Sequence, residues 1–143
     1  QHGIDQEENA RNAYEYLNNA NIELIGFVDH PSILMSGASP DGLIGNDGLV
    51  EFKCPKSHNH LETIMTKEVD GKYIKQMQWQ MACTGRQWCD FASYDPRFPF
   101  ELQLHVRRVM RDDTMIAEIQ GAVRSFLTDV DAAVIELKAM SAA

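Results

Sequence analysis

No stretch of the chain approaches the roughly 20 consecutive apolar residues a membrane-spanning helix needs. Its opening Gln1-His2-Gly3 carries neither a basic cluster nor an apolar signal region. These two absences predict a soluble protein that works in the cytoplasm with no membrane partner. Cysteine is sparse as well. Cys54, Cys83 and Cys89 are odd in number and lack Cys-x-x-Cys spacing, which argues against a disulfide framework and a thiolate zinc site and leaves buried, reduced thiols as the expectation. Repeats, low-complexity tracts and Pro/Gly/Ser linkers are missing too, so one domain over 1–143 is expected. What is there is 143 residues, 44% of them hydrophobic, which suffices for a compact domain with a sizeable core.

Positive charge is also short. Lys and Arg number 13 against 21 Asp and Glu, a net charge of −8, whereas phosphate binding usually rests on a basic surface. The distribution weakens that objection. Residues 1–52 hold one basic side chain, Arg11, against nine acidic ones; residues 53–111 hold ten against six; residues 112–143 hold two against six. The central third can therefore present a positive surface beside an acidic pocket, with an ordinary mixed surface as the alternative reading.

Periodicity sets the expected elements. Ala10, Ala13, Tyr14 and Leu17 recur at helical spacing over about 3–20, with Asp5, Glu7 and Glu8 in the first turns where the helix dipole favours anions. Short strands are expected at 22–29 and 33–36, flanking His30-Pro31, and a hairpin at 43–45 and 48–54 around Asn46-Asp47-Gly48, residues that tolerate positive φ. A helix should follow over about 73–84 and stop at Gly85, then strands at 87–94 and 101–109 split by Asp95-Pro96-Arg97. From 113 to 139 the stripe Ile116, Ile119, Val123, Phe126, Leu127, Val130, Val134 and Leu137 predicts an amphipathic helix. The order predicts an α/β domain, a mixed central sheet flanked by helices.

Chemistry concentrates at Ser39-Pro40-Asp41-Gly42 and Gly48-Leu49-Val50-Glu51-Phe52-Lys53. Alternate side chains of a strand share a face, so Leu49, Glu51 and Lys53 point one way and Val50, Phe52 and Cys54 the other, with Glu51 and Lys53 roughly 7 Å apart along the backbone. Taken singly, Asp41 reads as a β-turn residue and Glu51/Lys53 as a surface ion pair. Together, a turn acid followed by an acid and a lysine on one strand face is the layout of a metal-dependent phosphodiester cleaver. Hard oxygen ligands favour Mg²⁺, with Mn²⁺ as substitute, over zinc. Glu7 ends an otherwise apolar helical stripe; its partner is either Arg11, four residues on, or the metal pocket. Tyr73, Gln76 and Gln80 at i, i+3 and i+7 give the middle helix a polar side suited to orienting a water or phosphate oxygen, or simply an exposed face. His58-Asn59-His60 reads as a polar loop, and His105 as a surface or hydrogen-bonded histidine.

Five segments, in order along most of the chain, resemble the lambda exonuclease or YqaJ-like viral recombinase family of the PD-(D/E)xK nuclease superfamily. They are Gly3 through Glu7 to Ala10-Arg11, Ser39-Pro40-Asp41-Gly42-Leu43, Glu51-Phe52-Lys53-Cys54-Pro55, Tyr73-Ile74-Lys75-Gln76-Met77-Gln78, and Tyr94-Asp95-Pro96-Arg97. The resemblance implies a restriction-endonuclease-like core in which Asp41, Glu51 and the Phe52 carbonyl ligate the metal, Glu7 serves a second metal or its water, and Lys53 activates the attacking water. It also implies that Gln76 and Tyr73 line the pocket, with Arg97 as a further substrate contact. The implied activity is 5′-to-3′ digestion of double-stranded DNA to 5′-mononucleotides, leaving 3′ overhangs. A homotrimer, a single-strand annealing protein as partner, a phage or prophage origin, and a further N-terminal region carrying the 5′-phosphate contacts are implied with it. The alternatives are an endonuclease on the same metal centre and a catalytically silent DNA-binding or assembly module.

Overall fold

The computed structural model describes residues 2–142, and their side chains from residue 6 onward; Asp5, expected at the helix dipole, lies outside the described side chains. Helix α1 (His2–Asn18) leads through short strands β1 (Ile22–Glu23), β2 (Val28–Asp29) and β3 (Gly37–Ala38) to the hairpin β4 (Gly42–Ile44) and β5 (Gly48–Lys53). Helices α2 (Ser57–Thr66) and α3 (Gly71–Thr84) then carry the chain to β6 (Trp88–Tyr94), β7 (Leu104–Met110) and α4 (Asp113–Ala142). The described strands form one sheet ordered β1-β4-β5-β6-β7 and a separate β2-β3 ribbon. β5 and β6 run parallel and the other neighbours antiparallel, which requires the long crossover that α2 and α3 supply.

The alternation expected of β5 is present. Val50 and Phe52 join Ala10 and Tyr14 of α1 with Ala92 and Tyr94 of β6 in one core, while Leu49 joins Met77 and Met81 of α3 with Cys89 and Phe91 in the other. Leu49, Met77 and Met81 are fully buried, each stabilising the fold by about 2 kcal/mol. The sheet is thus a central layer with helices on both faces. Cys83 and Cys89 are buried free thiols and Cys54 is half-buried, so the expectation holds for two of the three. No helix among the described residues is long and apolar enough to cross a membrane.

Five local expectations need correction. The strand expected at 22–29 is two separate strands, β1 and β2, which belong to different sheets. Residues 33–36 form a bend, because the His30 imidazole Nδ1 accepts the backbone N–H groups of Ser32 and Ile33 at 3.0 Å each and turns the chain back on itself. In the β4–β5 turn the positive φ falls on Gly45, at 55°, rather than on Asn46 or Asp47. At Gly48 a Cβ would overlap the Trp88 ring, so glycine there serves close packing. His58-Asn59-His60 lies inside α2, not in a loop. On α4, Ile116 is buried and Ile119, Val123 and Leu127 are half-buried, whereas Phe126, Val130, Val134 and Leu137 are exposed. The stripe is amphipathic as expected, but the domain covers only its first part. Gly85 does close α3 in the left-handed conformation, at φ 73°.

Candidate active site

Glu51 stands on the α3 side of β5 and is 4% exposed. Its Oε1 accepts from Gln76 Nε2 at 3.0 Å, and its Oε2 from Gln80 Nε2 at 3.1 Å. The two amides are four residues apart on α3 and so share a face. Lys53, two residues on along the same strand face, brings its Nζ to 3.4 Å from Glu51 Oε1. Buried polar groups need partners, and this carboxylate takes donors from both the strand and the helix above it.

Asp41 enters from the opposite side. The register pairs Gly42 with Val50, and one further step sets Asp41 across from Glu51. Its Oδ2 accepts the Phe52 N–H at 2.8 Å, which fixes the carboxylate against the strand. Burial, then the charge of Glu51, pushes the Asp41 carboxyl up to about 6, against the opposing pull of the Phe52 N–H. Glu7 brings α1 close enough to Asp41 for the two carboxyls to act on each other. Glu7 is itself raised, by burial first and Asp41 second, while Arg11 and Lys53 pull it down. Of the two partners expected for Glu7, both act on it through charge, Asp41 raising its carboxyl and Arg11 lowering it. The carboxylates therefore adjoin in the order Glu7, Asp41, Glu51, and the proton affinities of Glu7 and Asp41 are raised by burial first and by the neighbouring carboxylate second.

Among the described residues, no three His, Cys, Asp or Glu side chains stand together at the spacing of a ready-made metal-ligand cluster. The Glu51 oxygens face amides and an ammonium instead. The donor set nevertheless suits a hard divalent cation, being carboxylate oxygens without thiolate or imidazole. Gln80 Oε1, buried and without a hydrogen-bond partner, adds an oxygen donor beside them.

Lys53 also faces a cavity of about 350 Å³ between α2, the start of α3 and the sheet, which Tyr73, Lys72, Phe91 and Ser93 help to line. The Tyr73 ring stacks on Phe91 at 5.6 Å between centroids, and Lys53 Nζ lies 4.7 Å from its centroid. Tyr73, Gln76, Glu51 and Lys53 are thus brought together as the sequence predicts. Arg97 is not part of this group. Its guanidinium is held by Asp95, Nε to Oδ1 at 2.9 Å and Nη2 to Oδ2 at 3.1 Å. Asp95 also accepts the Ser57 hydroxyl at 2.7 Å. Burial raises the Asp95 carboxyl, but the Arg97 and Ser57 bonds outweigh it and hold the group down at about 2.

Sequence reasoning passed over Ser93 and Lys72 and misread His60 as part of a polar loop. Ser93 lies beside Lys53 in the parallel register, and its Oγ is 2.7 Å from the Nδ1 of fully buried His60. The His60 Nε2 is 2.8 Å from the Leu102 carbonyl. A carbonyl only accepts, so Nε2 carries the proton and Nδ1 accepts from the Ser93 hydroxyl. The usable signal was the pair His60 and Ile64, four residues apart, which makes α2 amphipathic.

The β4–β5 hairpin gathers Asp41, Glu51 and Lys53, and the likeness to an alkaline exonuclease at 48% identity makes the chain a hydrolase of the nuclease class. The chain belongs to the YqaJ-like viral recombinase family, whose model matches residues 1–87. It is similar to the alkaline exonuclease LHK-Exo from Laribacter hongkongensis, at 48% identity and a TM-score of 0.97 over 99% of this chain and 73% of that one. The same figures hold for that exonuclease in complex with dAMP. A phage-related exonuclease from Haemophilus somnus 129PT shares the fold, with a TM-score of 0.77 at 15% identity over 94% of this chain and 71% of that one. A search of curated proteins returned no match.

Proposed function

We propose that the chain is a Mg²⁺-dependent exonuclease that degrades one strand of double-stranded DNA in the 5′-to-3′ direction, releases 5′-mononucleotides and leaves 3′ overhangs. The observation that carries this reading is the Asp41–Glu51 pair across the hairpin with Lys53 3.4 Å from Glu51; the likeness to an exonuclease that binds dAMP supports it. Asp41, Glu51 and the Phe52 carbonyl would hold Mg²⁺ or Mn²⁺, with Glu7 serving a second ion. When bound, the metal supplies Lewis-acid stabilisation of charge on the phosphate.

The chain's own groups have distinct tasks. Lys53 brings positive charge to where the attacking and leaving oxygens become more negative, without reorganisation at the moment of reaction. Gln76 and Gln80 fix the rotamer of Glu51, so that the carboxylate need not be ordered during each turnover. Gln76, the more exposed of the two, is placed to turn its amide toward a water or phosphate oxygen. A closed trimer, and transfer of the overhang to a single-strand annealing protein, accord with the apolar surface left exposed at Leu24, Phe27, Phe126 and Leu137.

The test is nucleotide release from linear duplexes labelled at one 5′ or one 3′ end, with Mg²⁺ or with EDTA, beside a closed circular duplex. Mg²⁺-dependent release of the 5′ label as mononucleotide at early times, with the circle intact, is expected. Cutting of the circle would replace this reading with an endonuclease, and no release from any substrate would end it. Asp41→Asn should abolish release and also remove the rise in unfolding midpoint that Mg²⁺ gives the wild type, about 2 to 3 kcal/mol near a hundredfold excess over Kd.

A further inference from the structure

We propose that Lys72 is a substrate-binding residue that takes the backbone phosphate next to the one being cleaved; this rests on the nuclease reading and extends it along the strand. Lys72 is the second residue of α3, and its N–H donates to the capping Asp70 Oδ1 at 2.9 Å. The helix start from which its side chain projects is therefore fixed. Its Nζ lies 5.0 Å from the centroid of the Tyr73 ring, the ring that Lys53 approaches to 4.7 Å. Phe91 holds that ring in place. Two ammonium groups thus approach one aromatic side chain at the wall of the cavity.

The two lysines differ in what neutralises them. Lys53 has Glu51, whereas Lys72 has no carboxylate within 4.0 Å among the described residues, although Glu62, Glu68 and Asp70 line the same cavity. Lys72 is itself exposed, and a solvated cation beside a ring is held weakly. A phosphate oxygen offers a charge-assisted hydrogen bond instead, so Lys72 exchanges the ring for substrate readily. A strand whose scissile phosphate meets Lys53 runs its next phosphate past Lys72, while the carboxylate of Glu62 disfavours the α2 wall.

The test measures equilibrium binding of the 143-residue chain to a linear duplex in EDTA across a salt series. Lys72→Gln should reduce the slope of log K against log salt by about 0.9 and weaken binding about five-fold at low salt. Lys72→Arg should restore both, and Lys75→Gln, exposed on the same helix outside the cavity, should change neither. With Mg²⁺ present, Lys72→Gln should raise KM about five-fold and leave kcat within about two-fold, as expected for a contact made equally in the ground and transition states. A wild type that degrades duplex while Lys72→Gln keeps the full slope overturns this inference alone. So does a loss of slope in Lys75→Gln as large as that in Lys72→Gln. A wild type that neither binds nor degrades duplex overturns the nuclease reading and this inference together.

Discussion

Two groups of carboxylates sit on opposite faces of the same sheet and are treated in opposite ways. On the α1 face Asp90 accepts from the Tyr14 hydroxyl at 2.6 Å and from Arg108 at 2.8 and 3.1 Å. The guanidinium lies 3.6 Å from the Trp88 ring centroid. Both oxygens are answered, and a full positive charge stands beside the negative one. On the α3 face Glu51, joined by Asp41 from the hairpin and with Glu7 of α1 reaching Asp41 from beyond the sheet edge, receives two amides and one ammonium while Asp41 receives one backbone N–H. A carboxylate that only holds the fold together comes with its own cation. Carboxylates gathered with too few cations mark the place where one is to be brought in.

Lys53→Ala is the substitution that should separate the two faces most sharply. Turnover on linear duplex should fall at least about a hundredfold, the scale on which a group stabilising transition-state charge acts. Folding should be kept, because Lys53 is partly exposed and Glu51 retains both glutamines. Single-turnover rates beside a urea unfolding curve provide the check. Turnover equal to wild type would leave Lys53 as an ordinary ion pair and make the two faces alike.

The opposite result is expected from Asp90→Ala. The buried Tyr14 hydroxyl loses its acceptor and Arg108 its partner, so stability should drop by about 3 kcal/mol, read from urea midpoints at constant slope. Turnover per folded molecule should match wild type, since Asp90 faces the α1 core. A large loss of turnover in fully folded protein would show that the α1 face also serves the chemistry.

The working face was legible in the sequence because it is local: strand alternation alone aims Glu51 and Lys53 together, and three- and four-residue spacing aims Tyr73, Gln76 and Gln80 at them. The structural face was not, because Tyr14, Asp90 and Arg108 come from three distant elements and none has a local signature. The same limit hid His60 and Ser93, 33 residues apart. The 33–36 strand failed for a related reason, since a side chain, His30, supplies the backbone partner that a sheet would otherwise provide. Long periodic elements such as α4 were legible in extent but not in burial, because periodicity shows which face is apolar and not what covers it.

Asp95 offers the smallest and most selective test, because it is buried and has an arginine as Asp90 does, but that arginine, Arg97, is 59% exposed. Its carboxyl sits at about 2, below the ordinary 3.8. A group depressed in the folded state binds its proton in the unfolded chain first. Its stabilisation is therefore complete above pH 4 and lost as pH falls from about 4 to 2. With the arginine largely solvated, about 1 kcal/mol is expected. Asp95→Asn should lower stability by that amount at pH 7 and flatten the curve between pH 4 and 2 relative to wild type, measured by urea midpoints across the range. Parallel curves for the two proteins through that window would mean that the exposed Arg97 adds nothing to the buried Asp95, and the rule that a fold-holding carboxylate carries its own cation would then rest on Asp90 alone.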